Sequence, residues 1–198
     1  RVDVDNGGIL TGGTMPAANF LSISVVCGPV SLPVADTGQT GCGSSVGAVL
    51  ACLGLGQDGS FTNTPQARSF TGPTQHAMYT ADYTTTDNVT GLVWKSCFQG
   101  KSGVACATGA ATTATWIAAG LQCRALNDVN AGAGYGGRKD WRLPTKKELE
   151  TLPNYQVINP AIDTTNFPAT VAGFYWSSST YAGSSPNAWY VYFVAGNV

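Results

Sequence analysis

Residues 136–149 read GGRKDWRLPTKKEL and join a glycine-rich loop to a strong helix start. Thr145, followed three residues later by Glu148, has the pattern of a capping box. In that motif the hydroxyl and the carboxylate each accept a hydrogen bond from a backbone N–H that the helix start would otherwise leave unpaired. Pro144 marks the end of the preceding extended segment. The pattern predicts a short helix from Thr145 to about Leu152.

Four residues around this helix start are predicted to be structural: Trp141, Arg142, Thr145 and Glu148. The cap brings the Glu148 carboxylate back toward the preceding strand end, where the Arg142 guanidinium can form a two-pronged contact with it. The five tryptophans are predicted to lie mostly in the core, because aromatic side chains contribute large buried areas in a domain with few Leu and Ile.

Other secondary structure follows from periodicity. Apolar residues recur at helical spacing within residues 112–127, which predicts an amphipathic helix with Thr112 or Thr113 as its N-cap. Residues 91–95 are typical of a strand. Residues 174–179 and 188–193 alternate at strand spacing, which predicts two adjacent antiparallel strands joined by the polar turn at residues 181–187.

Four motifs in order carry a resemblance to a known family: 87–94 (DNVTGLVW), 136–149, 174–179 (FYWSSS) and 188–193 (AWYVYF). They resemble the Lcl-type C-terminal domain family, a group of bacterial surface domains named for the C-terminal domain of a collagen-like adhesin. The resemblance runs from about residue 32 to the end. It implies an α+β fold similar to C-type lectins and the formylglycine-generating enzyme, with two helices packed on short, disulfide-stapled antiparallel sheets.

The chain is expected to divide into three parts. Residues 1–31 form an extension with one strand at 20–26, residues 32–86 a loop-rich segment bounded by a disulfide, and residues 87–198 the lectin-like domain. Members of the family usually continue into a further strand with an Arg-Cys-Val-Arg-like signature, whereas this sequence stops at Val198. We therefore expect that last strand to be absent or supplied by another chain, which would leave a sheet edge open for strand addition.

The six cysteines are predicted to form disulfides, because there is no Cys-x-x-Cys and only one histidine to support a zinc site. Two local pairs flank short loops of small residues: Cys97 with Cys106, and Cys42 with Cys52. Cys27 and Cys123 remain and are candidates for a third pair, although the resemblance implies that Cys123 pairs with a C-terminal cysteine. Disulfides indicate a secreted, periplasmic or cell-surface protein.

The composition of the chain argues against two classes of binding partner, nucleic acid and anionic lipid. Charged residues make up 11% of the chain and the net charge is -1, against roughly 25% charged residues in an average soluble domain. Without a long Lys/Arg run there is no electrostatic footprint for nucleic acid or anionic lipid. No apolar stretch approaches the roughly 18–20 residues of a membrane-spanning segment, and no signal peptide is evident, so the sequence is expected to be a mature form.

No motif supports catalysis. Ser45 sits in a Gly-x-Ser-x-Gly pattern that lacks the strand, helix and histidine of a nucleophile elbow. Residues 132–137 match Gly-x-Gly-x-x-Gly but follow a helix, whereas dinucleotide binding needs a preceding strand. His76, the only histidine, has no acidic partner nearby and is predicted to be an exposed loop residue. We expect no catalytic residue, metal or cofactor.

The sequence therefore predicts a binding or adhesion module that recognises a glycan or protein ligand through residues 174–194. Tyrosine and asparagine combine contact area with adaptable hydrogen bonding, which makes four residues candidates for the site: Tyr181, Asn187, Tyr190 and Tyr192. One alternative is a structural subunit of an extracellular filament or sheath that self-associates through an open sheet edge. Another is an enzyme related to the formylglycine-generating group, although no cysteine follows Cys123 to form its reactive pair.

Overall fold

The computed structural model describes residues 2–4, 21–23, 34–44, 46–184 and 186–198. Over these ranges the protein is a mixed α/β fold with short helices, small antiparallel sheets and two disulfides. Every helix in them is too short or too polar to cross a membrane. The predicted α+β class is confirmed at this level. Of the strand expected at 20–26, Leu21–Ile23 is present and the remainder lies outside the described residues.

Eleven short strands are present in the described ranges, all paired antiparallel: β1 (Val2–Val4), β2 (Leu21–Ile23), β3 (Cys42–Gly43), β4 (Val49–Leu50), β5 (Phe70–Gln75), β6 (Tyr83–Asp87), β7 (Val93–Lys95), β8 (Lys101–Ser102), β9 (Thr108–Gly109), β10 (Phe174–Thr180) and β11 (Ala188–Tyr192). Strands β5, β6 and β7 form a three-stranded sheet, and the others form two-stranded sheets. The helices are α1 (Trp116–Ala125), the single turn α2 (Val129–Gly132) and α3 (Lys146–Leu149).

One hydrophobic cluster forms the core beneath α3 and the β10–β11 hairpin. Its buried members are Leu149, Leu152, Ile162, Phe167, Val191 and Phe193. Alternate residues of β11 and of the segment that follows it supply this cluster, because successive side chains of a strand point to opposite faces. The hairpin therefore has one face in the core and one face toward solvent.

Helix α1 begins later than the sequence suggested. Its first residue is Trp116, and Thr115 is the N-cap, whose hydroxyl accepts a hydrogen bond from the Ala118 N–H at 3.4 Å. The expectation of Thr112 or Thr113 as the cap was wrong. The Thr112 N–H instead donates to the Gln99 carbonyl at 3.1 Å, which holds the chain in the preceding loop.

The capping box of α3 has the predicted geometry. The Thr145 hydroxyl accepts from the Glu148 N–H at 3.3 Å, and the Glu148 carboxylate accepts from the Thr145 N–H at 2.7 Å. Arg142 donates two hydrogen bonds to the same carboxylate, at 2.8 and 2.6 Å. The Arg142 hydrogen bond is the main reason that the pKa of Glu148 falls from 4.5 to about 2, and the hydrogen bonds of Thr145 lower it further.

This geometry predicts a pH-dependent stability difference. A carboxylate whose pKa is depressed by folding stabilises the protein above its unfolded pKa and loses that effect as the pH falls toward the folded value. Glu148→Gln keeps an acceptor for the Thr145 N–H but removes the charge paired with Arg142, so it should cost about 1 kcal/mol at neutral pH, the upper range for an exposed ion pair. In urea unfolding, the difference from wild type should shrink below pH 4.5 and vanish only below the folded pKa of about 2. Glu150→Gln, which removes only an i,i+4 pair with Lys146, is the control; a pH-independent cost of Glu148→Gln would contradict the assignment.

Both predicted local disulfides are present, Cys42–Cys52 and Cys97–Cys106. Cys27 lies outside the described residues, and Cys123 forms no disulfide with any residue inside them. The third pairing therefore stays a prediction.

The segment before β6 is attached to the C-terminal part through backbone carbonyls. Arg68 donates hydrogen bonds to the carbonyls of Leu152 at 2.7 Å and Pro153 at 2.8 Å, and to that of Asp36 at 3.3 Å. One guanidinium thus joins three separate stretches of chain. Pairing of β5 with β6 adds a second attachment, so residues 34–82 pack against the rest of the fold.

Candidate binding face

The solvent side of the β10–β11 hairpin carries four aromatic residues, which we call the outer aromatic face: Phe174, Trp176, Tyr190 and Tyr192. Phe174 is directly opposite Tyr192, and Trp176 is opposite Tyr190. Phe174 is 67% exposed, Trp176 36% and Tyr190 39%, while Tyr192 is half-buried. Large aromatic surfaces exposed together are uncommon on a monomeric protein and mark interaction sites.

The rings of the outer aromatic face support one another. Phe174 stacks on Tyr192 with ring centroids 4.3 Å apart, and it meets Tyr190 edge-to-face at 5.0 Å. Trp176 meets Tyr190 edge-to-face at 6.4 Å, and its indole N–H donates to the Ala114 carbonyl at 3.0 Å. These contacts hold the rings in place without a ligand, which reduces the conformational entropy lost on binding.

The other two predicted site residues lie at the turn. Tyr181 is 42% exposed and packs edge-to-face on Trp189, 5.4 Å between centroids, and Trp189 belongs to the inward face. The backbone of Asn187 closes the turn, because its carbonyl accepts from the Tyr181 N–H at 2.8 Å. The structure thus brings Tyr190 and Tyr192 together on the outer aromatic face, whereas Tyr181 packs on the opposite face of the hairpin and Asn187 lies in the turn.

Sequence reasoning missed Phe174 and Trp176. The assignment of the tryptophans to the core was wrong for Trp176, which lies on the solvent face, and the other four are only half-buried. The missed signal was the strand alternation itself, because it already put Trp176 on the face opposite Tyr175. The position of Trp176 in the strand was a better guide to its exposure than the size of its side chain.

A groove continues from this face toward α1. It has a volume of about 510 Å³ and is lined by residues from α1, from the segment before α3 and from β10, among them Trp116, Ile117, Arg124, Leu143 and Ser178. Ser178 belongs to the same side of β10 as Trp176. The outer aromatic face and this groove, which we call the α1 groove, are therefore neighbouring surfaces.

The outer aromatic face carries no charged residue. The nearby Arg142 is neutralised by Glu148, and Lys146 pairs with Glu150 while its ammonium lies 5.1 Å from the centre of the Trp189 ring. Hydroxyl groups of Ser178 and Thr180, both exposed, complete this side of β10. The surface suits an uncharged ligand with both apolar and hydroxyl groups.

Two residues with possible catalytic chemistry, His76 and Cys123, lie among the residues that the structure describes. His76 is half-buried rather than exposed: its Nδ1 accepts from the backbone N–H groups of Met78 and Tyr79, and its ring stacks on Tyr79. Burial raises the pKa of the Cys123 thiol, which lowers its reactivity. Among the residues that the structure describes, no cluster of three or more His, Cys, Asp and Glu could hold a metal ion. Ser45 lies outside those residues.

Comparison with known protein families gives a match. The model of the Lcl C-terminal domain family matches residues 83–198, a range that contains the β10–β11 hairpin, the α1 groove and the capped helix α3. No curated protein and no solved structure matches the chain.

Proposed function

Because the chain belongs to the Lcl C-terminal domain family, we propose that it is an extracellular, non-catalytic binding module that recognises a glycan through its outer aromatic face. Two disulfides fit an extracellular or cell-surface domain, and the family is not known as enzymatic. We further propose that the scaffold is C-type-lectin-like, with the hairpin as its ligand-bearing element.

The observation that supports a glycan is the combination of exposed rings with uncharged hydroxyl groups. The C–H groups on the face of a sugar ring carry partial positive charge and pack against the negative face of an aromatic ring. Its hydroxyl groups need hydrogen-bonding partners, which Tyr190, Tyr192 and the neighbouring Ser178 can supply. Protein interfaces also use Trp and Tyr, often together with Arg; the lack of charge on this face, with hydroxyl groups beside the rings, is what favours a glycan.

A glycan array identifies the ligand and tests the residues. Wild-type protein should bind a set of neutral glycans, and Tyr190→Ala and Tyr192→Ala should each weaken binding at least about 10-fold, as expected for aromatic residues at the centre of an interface. Binding should depend little on salt, because the face carries no charge.

Phe61→Ala is the matched control, since Phe61 is 53% exposed and lies outside the hairpin; it should bind like wild type. Unchanged binding in both tyrosine variants would refute the site. If the protein bound no glycan but captured a protein ligand through Tyr190, the outer aromatic face would stand as the binding site and the proposal of a glycan ligand would be wrong.

A structural subunit of an extracellular assembly is the second candidate function. The outer edge of β11 is partly covered by the chain itself, because the Tyr192 N–H donates to the Asn197 carbonyl at 2.6 Å. Self-association through that edge is therefore poorly supported. What favours assembly is a different feature, the unusually exposed apolar side chains around the first disulfide.

A further inference from the structure

The α1 groove has an empty floor at Gly120. This residue lies in the middle of α1 and lines the groove together with Ile117 and Arg124 of the same helix. A methyl group at position 120 would lie 3.9 Å from Leu143 Cδ1, an ordinary van der Waals distance. Glycine destabilises the interior of a helix relative to alanine. Since the neighbours do not require glycine here, its main effect is to leave the groove open.

The walls of the groove are apolar and are fixed before a ligand binds. Ile117 is 75% exposed. The indole N–H of Trp116 donates to the Ser177 carbonyl at 2.9 Å, and that of Trp141 donates to the Tyr135 carbonyl at 2.8 Å. Both tryptophans line the groove, so a ligand meets apolar walls that need little ordering.

The groove also holds a positive charge. Arg124 lines it, is exposed, and forms no salt bridge with any residue that the structure describes. Asp128, the nearest acidic residue in sequence, does not line the groove. The other guanidinium of the lining, that of Arg142, is already paired with Glu148. A ligand with one carboxylate therefore supplies the partner that the planar fork of Arg124 binds best.

The chain segment beside α1 offers main-chain hydrogen bonds. Trp141 is held by the side-chain amide of Asn127, which donates to the Trp141 carbonyl at 3.0 Å and accepts from the Trp141 N–H at 2.8 Å. The main-chain N–H and C=O of the next residue, Arg142, form no hydrogen bond with any described residue. An extended peptide pairs with such groups, as a strand does when it is added to a sheet edge. A fatty acid has the carboxylate but no groups to pair with them.

We propose that the α1 groove binds the C-terminal end of another protein chain, with the terminal carboxylate on Arg124 and the last apolar side chains against Ile117 and Leu143. Its volume of about 510 Å³ falls within the roughly 300–1,000 Å³ of sites for small ligands, so it suits a few residues of a chain end rather than a folded surface. A neutral glycan would leave Arg124 without a counter-charge. This site is therefore separate from the outer aromatic face and does not depend on glycan binding.

An array of N-terminally anchored pentapeptides tests the proposal. Their last two residues are drawn from Ala, Val, Leu, Ile and Phe, and each peptide is presented with a free carboxylate and as the C-terminal amide. Wild-type protein should bind a subset of the free acids. The amides of that subset should bind about 10- to 100-fold more weakly, as expected for the loss of a hydrogen bond between charged groups.

Two variants locate the site on the best peptide, with affinities measured by calorimetry. Arg124→Gln should weaken binding of the free acid about 10- to 100-fold and leave binding of the amide unchanged. Gly120→Leu fills the floor of the groove and should weaken both at least about 10-fold, while the helix is kept because leucine is a better helix former than glycine. Arg138→Gln is the matched control and should bind like wild type, since Arg138 pairs with Asp140 outside the groove.

Three results would each overturn the proposal: an array without a binder, amides that bind as tightly as the free acids, or a folded Gly120→Leu protein with full affinity. Binding of an acidic sugar through Arg124, by a protein that binds no peptide, would assign the groove to a different ligand and overturn it as well. Glycan binding by Arg124→Gln, measured in parallel, reports on the outer aromatic face alone.

Discussion

Replacing Arg68 by methionine should lower the free energy of unfolding by about 3 kcal/mol, more than any surface substitution in this chain. The half-buried guanidinium donates to the carbonyls of Leu152, Pro153 and Asp36. A hydrogen bond from a charged group contributes about 1.5–3 kcal/mol, and a carbonyl left buried without a partner adds a penalty. Methionine keeps much of the aliphatic stem and removes every donor, so the loss reports on the hydrogen bonds.

Urea denaturation measures this effect, and Arg138→Met is the control. Arg138 pairs with Asp140 on the surface, where the two side chains are 46% and 69% exposed, so its loss should cost less than about 1 kcal/mol. Equal small effects at Arg68 and Arg138 would show that residues 34–82 are not held to the C-terminal part in this way.

Replacing Cys97 and Cys106 together by alanine should cost about 4 kcal/mol, within the usual range for a native disulfide. Both residues are fully buried, at 1% and 0% exposure. The loop that they close is also held by Lys95, whose ammonium donates to the carbonyls of Cys97, Phe98 and Lys101. Without the disulfide, these carbonyls are no longer held in place around the ammonium. The half-buried charge of Lys95 then loses its hydrogen-bond acceptors.

The matched double variant is Cys42→Ala with Cys52→Ala. The chain-entropy model predicts that the two disulfides stabilise the fold by similar amounts, because their sequence separations are 10 and 9. The Cys42–Cys52 bridge, however, closes the short β3–β4 hairpin and its Cys52 is only half-buried, so its loss should lower the global unfolding free energy by less, about 1–2 kcal/mol. Equal costs for the two pairs would contradict this difference in burial.

Short-range chemistry made much of the architecture predictable. The capping box at Thr145 and Glu148, both local disulfides and the antiparallel pairing of the last two strands depend on residues close in sequence. The family resemblance is confirmed by the match over residues 83–198. These features share a cause: each is specified by a turn, a cap or a periodicity that a short window contains.

Features that depend on distant residues were not predictable in this way. Nothing local to Arg68 indicates that Leu152 and Pro153 will present their carbonyls to it. The N-cap of α1 moved to Thr115 because Thr112 is held by Gln99, a contact between a loop and a helix start. Trp176 was assigned to the core by its size, although its register in β10 places it on the solvent side.

The central claim is that ligand binding belongs to the outer aromatic face and that the fold does not depend on it. Calorimetric titration of the best array ligand, with thermal unfolding of the same samples, tests this on Trp176→Ser combined with Tyr190→Ser. We expect binding to weaken at least about 100-fold, while the protein stays cooperatively folded and its free energy of unfolding falls by about 1–3 kcal/mol, the effect of losing the contacts between Trp176, Tyr190 and Phe174. Retained affinity in a folded double variant would contradict the claim.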